Sequence, residues 1–144
     1  MKDVVIVSAC RTAIGSFGGT LKDIHAYKIG SAAMKEAIRR AGIDPAVIND
    51  VRFGCCIEPY NALNVARVAA MDAGIPETST AVTINRVCIS GMEAVISGMA
   101  MIQAGLVDVV LGGGLEHMSG VAYAVQAARW GCRLQNHSFD DMLI

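Results

Sequence analysis

Short runs of β-branched residues alternate along the chain with longer segments of helical period, and this alternation is typical of βαβ units around a parallel sheet. The predicted strands occupy residues 3–9, 50–57, 79–85 and 107–111. The predicted helices lie between them, at residues 26–41, 61–73 and 88–104. Past Gly114 the periodicity fades. We therefore expect an α/β fold, a mostly parallel sheet with helices on both faces, that ends in an irregular segment.

The first predicted helix has clear boundary signals. A Gly-rich loop at positions 15, 18 and 19 precedes it. Gly42 fits the left-handed position that ends a helix, and Asp44 and Pro45 fit the cap and first position of a short turn.

Two of the predicted helices carry apolar residues at helical spacing. In helix 26–41 these are Ile29, Ala33, Ala37, Ile38 and Ala41. In helix 88–104 they are Met92, Val95, Ile96, Met99 and Ile102, and Gly91 and Gly98 provide a narrow side for close packing. Because Glu93 is the one charged residue of helix 88–104, we expect protein contacts on most of its sides.

Cys88 stands where the β-branched run 79–85 gives way to a helical pattern. A cysteine in the first turn of a helix lies beside unpaired backbone N–H groups and the positive end of the helix dipole, which favour its thiolate. Cys88 is therefore a candidate acyl carrier; the competing interpretation is a small buried hydrophobe. For Cys10, Cys55 and Cys56, inside apolar runs, we expect structural burial.

Composition and motifs argue against several classes of function. The net charge of −1, with scattered Lys and Arg, gives no basic stripe for nucleic acid. The five cysteines have no CxxC spacing, so no metal site is expected. The spacings GxGxxG, GxxxxGK[ST] and GxSxG, which serve nucleotides and hydrolytic serines, are also missing from the sequence.

The chain is apolar for a soluble domain, with 53% hydrophobic and 17% charged residues. We expect a partner subunit or the rest of a larger protein to cover part of its surface. The apolar run that follows Asp3 is too short for a signal peptide, and no run reaches the roughly 18 apolar residues that span a bilayer. The expected location is cytoplasmic, without a membrane partner.

Residues at the end of the last predicted strand have two interpretations each. His117 is either a base for Cys88 or a loop histidine that bonds backbone groups. Glu116 is either catalytic or a structural carboxylate that accepts hydrogen bonds from loop N–H groups. The glycines at positions 112–114 either bring this loop beside Cys88 or allow tight packing against a helix.

Several segments in register resemble the thiolase family, in its acetyl-CoA acetyltransferase type. Asn85–Met92 (NRVCISGM) resembles the nucleophile motif, and Arg11–Gly19 the N-terminal loop. Asn64–Arg67 (NVAR) resembles the NPAR segment, Gly113–Ser119 (GGLEHMS) the GGxENMS segment, and Ala128–Gly131 a further run of the family. The resemblance implies the N-terminal half of a thiolase, with residues 1–118 as an incomplete α/β domain and residues 119–144 as the start of the loop domain.

The resemblance implies that Cys88 is the catalytic nucleophile. It would take an acetyl group from acetyl-CoA or another acyl-CoA, with its backbone N–H as an oxyanion donor. A second acetyl-CoA would then attack to give acetoacetyl-CoA, and the reverse reaction would be thiolysis. Coenzyme A thioesters are the implied substrates, with no permanently bound cofactor and no metal. The full-length form is implied to be a homodimer or homotetramer, in which the strand at Ser79–Ile84 pairs across a subunit interface.

The sequence also departs from the family pattern. The His of the GHP segment, the Asn of the NEAF segment and the second Cys, which the family uses as acid and base, are not among these 144 residues. Ile89 replaces a small residue, Val65 a Pro and His117 an Asn. We therefore expect little turnover from this chain alone. The alternatives are a condensing enzyme of different chain-length preference and a noncatalytic association module.

Overall fold

The computed structural model describes residues 3–144. Its helices are α1 (Ala26–Ala41), α2 (Val65–Asp72) and α3 (Ser90–Gln103), with short 3-10 turns at Pro45–Val47, Met118–Gly120 and Ala128–Trp130. Its strands are β1 (Asp50–Gly54), β2 (Thr80–Ile84), β3 (Val110–Gly114), β4 (Tyr123–Ala124) and β5 (Asp140–Asp141). None of the helices in this described part is long and apolar enough to cross a membrane.

β1 is the central strand of a three-stranded parallel sheet in the order β2-β1-β3. Successive side chains of a strand point to opposite faces. Val51 and Phe53 on one face of β1 join the core formed with α1 and α2. Arg52 on the other face donates from Nε to Ser97 Oγ of α3 (3.0 Å). The predicted α/β fold, a parallel sheet with helices on both faces, is confirmed.

The core lies between the sheet and the helix pair α1 and α2. Its buried members are Ala26, Met34, Ile38, Ile48, Val51, Phe53, Cys55, Ala62, Val65, Ala66, Ala69, Ala70, Ala73, Ile75 and Leu115. The alanines of α2 let that helix lie close to both α1 and the sheet, because a methyl group adds little thickness between two backbones. This core holds the sheet against α1 and α2. It thereby positions β2, the strand that leads into the turn before α3.

The prediction of a strand at residues 3–9 is wrong. The segment has no regular secondary structure in its described part, and Val5, Ile6 and Val7 are 74%, 79% and 69% exposed. It is tied to α1, since Arg40 Nη1 donates to the Ala9 carbonyl (3.2 Å). A cavity of about 950 Å³ is lined by this segment on one side and by β3 on the other. A β-branched run becomes a strand only beside a ladder partner, and residues 3–9 pair with no strand of the described chain.

The boundaries of α1 are confirmed. Gly42 ends the helix in the left-handed conformation with φ of 66°. Asp44 then caps the following 3-10 turn, since its Oδ1 accepts from the Ala46 N–H (2.9 Å). The stripe that α1 buries is Ala26, Gly30, Ser31, Met34 and Ile38, whereas most of the predicted apolar face lines the large cavity.

The last strand of the sheet lies three residues later than predicted, at Val110–Gly114 instead of 107–111. The reason is packing, because a Cβ at Gly113 would lie 2.6 Å from the Phe53 ring and one at Gly112 would lie 3.3 Å from the Cα of Val95. Glycine, a weak strand former by propensity, is the residue that fits here. The packing interpretation of this glycine run is confirmed.

Helix α3 packs on the sheet through its narrow side and not on most of its sides as predicted. Ala94 and Gly98 are buried, and a Cβ at Gly98 would lie 2.8 Å from the Val110 side chain. Four apolar residues on the rest of the helix are exposed: Met92, Val95, Ile96 and Met99. The small residues bring the helix onto the sheet, and the large apolar residues form an uncovered face within the described residues.

Candidate active site

Cys88 lies on a five-residue turn, residues 85–89, between the end of β2 and the start of α3. It is exposed, whereas Cys55 is buried and Cys10, Cys56 and Cys132 are half-buried. The interpretation of Cys88 as a buried structural cysteine is therefore wrong. The helix begins at Ser90, with Ile89 as its N-cap, so Cys88 precedes the first turn in which the sequence placed it.

Two polar side chains shape this turn. Asn85 Oδ1 accepts from the Val87 N–H (3.0 Å), and Asn85 Nδ2 donates to the Cys56 carbonyl (2.8 Å). Ser90 Oγ donates to the Val87 carbonyl (2.6 Å) and accepts from the Arg86 N–H (2.8 Å). Such local side-chain bonds are the usual means by which Asn and Ser stabilise turns. The turn is therefore held both internally and against the loop that follows β1.

The Cys88 N–H has no acceptor within residues 3–144. An unpaired N–H on the turn directly before a helix is a donor that a developing oxyanion can use. The same residue therefore offers a thiol and a hydrogen-bond donor on one exposed turn.

Glycines bring α3 close to the carboxyl edge of the sheet. A Cβ at Gly54, the last residue of β1, would lie 2.4 Å from the Ser90 carbonyl carbon. One at Gly114, the last residue of β3, would lie 3.2 Å from the Cα of Gly91. Gly91 thus lies against the sheet edge. These contacts place the start of α3, directly after the Cys88 turn, against the ends of β1 and β3.

Glu116 is a structural carboxylate at this edge. Its two oxygens accept from the Cys56 N–H (2.8 Å) and the Ile57 N–H (3.2 Å). Cys55 Sγ also donates to Glu116 Oε1 (3.6 Å). Burial, followed by the charge and hydrogen bond of Glu116, raises the pKa of Cys55 to about 12. Cys55 therefore stays a thiol at neutral pH and is a poor nucleophile.

His117 bonds a backbone group, as the second of its two interpretations predicts. Its Nε2 lies 3.2 Å from the Leu21 carbonyl oxygen. Ser119 Oγ accepts from the Gly18 N–H (2.9 Å), so this segment and the N-terminal loop are joined at two points. The structure gives His117 no hydrogen bond to Cys88.

Asn64 and Arg67 attach α2 to β2. Asn64 Oδ1 caps α2 by accepting from the Arg67 N–H (3.1 Å), and Asn64 Nδ2 donates to the Ala81 carbonyl (3.1 Å). Arg67 donates to the carbonyls of Ser79 (2.6 Å) and Glu77 (3.0 Å). The NVAR segment therefore positions the strand that leads into the Cys88 turn, and it contributes no group to the turn itself.

Residues 3–144 contain no group of three or more His, Cys, Asp and Glu side chains arranged to hold a metal ion. The sequence had singled out Cys88 but missed the supporting roles of Asn85 and Ser90. The sequence signal for these two roles is an Asn three residues before the cysteine and a Ser two residues after it, a spacing that suits turn and cap hydrogen bonds.

The fold and this site define a parallel α/β domain that presents an exposed cysteine on a strand-to-helix turn. The family model described as "Thiolase, N-terminal domain" matches residues 4–144. The chain therefore belongs to the thiolase family.

Individual relatives agree with this assignment. The chain is 46% identical over 133 residues to a protein of Syntrophomonas wolfei named acetyl-CoA acetyltransferase, covering 92% of the chain and 34% of that protein. It is 41% identical over 145 residues to beta-ketothiolase BktB of Cupriavidus necator, covering 99% of the chain and 36% of that protein. Among solved structures, the Bacillus anthracis acetyl-CoA acetyltransferase superposes with a TM-score of 0.92 at 42% identity, covering 96% of the chain and 35% of that structure. The chain spans about a third of the length of these relatives.

Proposed function

We propose that Cys88 is the nucleophile of a thiolase-type acyltransferase and takes an acyl group from a coenzyme A thioester. The observation that supports this is the exposure of Cys88, alone among the five cysteines, on the turn before α3. The thiolate sulfur attacks the thioester carbonyl carbon, the bond to the coenzyme A sulfur breaks, and coenzyme A leaves and takes up a proton. The unpaired Cys88 N–H and the N-terminus of α3 stabilise the oxyanion of the intermediate.

In the second step of the proposed reaction, an acetyl-CoA deprotonated at its methyl carbon attacks the acyl carbonyl. A carbon–carbon bond forms, the bond to Cys88 breaks, and acetoacetyl-CoA leaves; the reverse reaction is thiolysis of the product by coenzyme A. This step requires a base and an acid. Neither His117 nor Glu116 is free for that task, because both are bonded to loop backbone groups. We therefore infer that this chain accepts an acyl group but does not sustain condensation alone.

The test is intact-mass measurement after incubation with acetyl-CoA, followed by peptide mapping and a condensation assay. We expect one acetyl group on Cys88 and none on a Cys88→Ser variant, which has nearly the same shape. A Cys10→Ser variant is the matched control and should be acetylated like the unchanged chain. Equal acetylation of the Cys88→Ser variant, or sustained condensation by the isolated chain, would contradict the proposal.

The chain length of the acyl group is a separate question. We propose acetyl-CoA as the acyl donor because the relatives include proteins named acetyl-CoA acetyltransferase. Acyl-CoA thioesters of increasing length would compete with iodoacetamide for Cys88. Protection of the thiol by acetyl-CoA is expected; protection by longer thioesters alone would favour a condensing enzyme of different chain-length preference.

A noncatalytic association module is the second candidate, and two observations favour it. The apolar residues Met92, Val95, Ile96 and Met99 form an exposed face on α3, and β2 is an edge strand of the sheet. An exposed strand edge can pair with another chain. Light scattering on the unchanged chain and on Cys88→Ser separates the two functions. Unchanged assembly together with an unreactive thiol in the unchanged chain would favour the module.

We also propose that the α/β domain covers residues 1–118 and that residues 119–144 begin a loop domain. Support comes from the last strand of the sheet, which ends at Gly114, and from the two-residue strands that follow it. Limited proteolysis should therefore cut first within residues 119–144.

A further inference from the structure

Val87, directly before Cys88, has an unusual backbone conformation. Its φ is +52°, in the left-handed region. A β-branched residue is a genuine outlier there, since its side chain crowds the following carbonyl group. Strained residues of this kind persist only where the surrounding structure holds them, and they are frequent at functional sites.

The contacts that hold Val87 come from both sides of the turn. Asn85 Oδ1 accepts from its N–H, and Ser90 Oγ donates to its carbonyl. The Ser90 N–H donates to the same carbonyl (3.1 Å). Ser90 itself is only 4% exposed and lies against Gly54, so its hydroxyl has little freedom to move. The peptide groups on both sides of Val87 are thus fixed.

Cys88 has no comparable contacts of its own. Neither its N–H nor its sulfur forms a hydrogen bond within the described residues, and both of its chain neighbours are exposed. The position of Cys88 therefore depends on the backbone of Val87. If Val87 relaxed to a favoured φ, the chain direction at Cys88 would change, and a displacement of about 1 Å is enough to slow a positioned reaction roughly a hundredfold.

We propose that Ser90 and Asn85 are positioning residues that hold Val87 in the left-handed conformation and so fix Cys88 for acyl transfer. The inference rests on the proposed function, in which Cys88 is the nucleophile. It adds to that function the two side chains that determine where the thiol and its N–H lie.

The test compares Ser90→Ala with Ser97→Ala, a matched substitution on the same helix. One readout is the φ of Val87, from its three-bond HN–Hα coupling and Cα shift in NMR spectra. The other is the rate of acetyl transfer from acetyl-CoA to Cys88, from intact mass. In Ser90→Ala we expect loss of the left-handed φ and at least about a tenfold slower acetyl transfer. In Ser97→Ala we expect an unchanged φ and a rate within about twofold.

A compensating variant separates positioning from a general loss of structure. Asn tolerates the left-handed region far better than Val. Ser90→Ala combined with Val87→Asn should therefore recover the left-handed φ and most of the lost rate, a recovery that a general folding defect would not show. If Ser90→Ala does not fold, Asn85→Ala takes its place with the same expected losses.

Two results would overturn the inference: a left-handed Val87 with an undiminished rate in Ser90→Ala, or a double variant as slow as the single one. If the unchanged chain takes no acetyl group, the proposed function fails instead. In that case the φ of Val87 in the variants alone tests the inference. The inference is overturned if this angle stays left-handed in Ser90→Ala, which lacks the hydroxyl group.

Discussion

Gly54 at the end of β1 lies against Ser90 at the start of α3 so closely that a Cβ on Gly54 would be 2.4 Å from the Ser90 carbonyl carbon. Backbone occupies the space, so the contact cannot be relieved by rotating a side chain. A Gly54→Ala substitution must push α3 away from the sheet. We expect a loss of about 1–3 kcal/mol in the free energy of unfolding, measured by urea denaturation, together with slower acetylation of Cys88.

Gly91→Ala is the matched control for that substitution. A Cβ on Gly91 would meet its nearest atoms at 3.9 and 4.0 Å, an ordinary van der Waals distance. Ala is also a better helix former than Gly, by up to about 1 kcal/mol. The control should therefore be as stable as the unchanged chain or more stable. Equal effects of the two substitutions would contradict the close approach of β1 to α3.

Removal of the Glu116 carboxylate should loosen the loop after β1. Both oxygens are used, one for the Cys56 N–H and one for the Ile57 N–H. Glu116→Ala should cost about 1–3 kcal/mol for the two charge-assisted bonds, and Glu116→Gln, which keeps one acceptor oxygen, should cost less. Hydrogen exchange at residues 56 and 57 checks this directly. Glu58→Ala, which removes a nearby exposed charge, is the control and should leave this exchange unchanged.

Cys55 and Cys88 should differ strongly in their reaction with iodoacetamide. Burial and the neighbouring Glu116 raise the pKa of Cys55 to about 12, so this group is a protonated thiol throughout the neutral range. Cys88 is exposed on its turn. Peptide mapping after brief labelling at neutral pH should find label on Cys88 and none on Cys55. Equal labelling of the two in the folded chain would show that Cys55 is accessible and its carboxylate neighbour misplaced.

The parts of the fold that local sequence determines were predictable. The end of α1 at Gly42 and the turn at Asp44 depend only on neighbouring residues, and both were placed correctly. The segment at residues 3–9 has the composition of a strand, but a strand depends on a partner, and local sequence carries no information about which partner is beside it. The glycines of β3 were misplaced for a related reason, since their fit against Phe53 and α3 appears only once the chain is folded.

In the candidate site, too, some features follow from local sequence and others from contacts made only in the folded chain. Cys88 was identified from its place between a strand pattern and a helix pattern, which is local information. Its support by Ser90 is also local, since Ser90 Oγ donates to the carbonyl of Val87 three residues earlier. The burial of Ser90 against Gly54, in contrast, depends on a contact between segments far apart in the sequence. For Glu116 and His117 the sequence offered two roles each, and the structural roles were decided by loops some 60 and 96 residues away.

The Asp72 carboxylate at the end of α2 should make the stability of the chain fall in acid. Lys28 of α1 donates to it, and Lys35 Nζ lies 3.4 Å from its second oxygen. The hydrogen bond from Lys28, together with the charge of that ammonium group, lowers the pKa of Asp72 from 3.8 to about 2. A carboxyl group whose pKa is lower in the folded state stabilises that state above its ordinary pKa, and this contribution is lost as pH falls toward the folded value.

The expected result is a melting temperature difference between the unchanged chain and Asp72→Asn that is present at neutral pH and disappears between 3.8 and about 2. Salt should reduce the difference at neutral pH, because both lysines are about half exposed. Asp23→Asn is the control, since Asp23 pairs with the adjacent Lys22 on an exposed turn and, within residues 3–144, links no two helices. A difference for Asp72→Asn that persists at the lowest pH would mean that the carboxylate charge is not what joins α1 to α2.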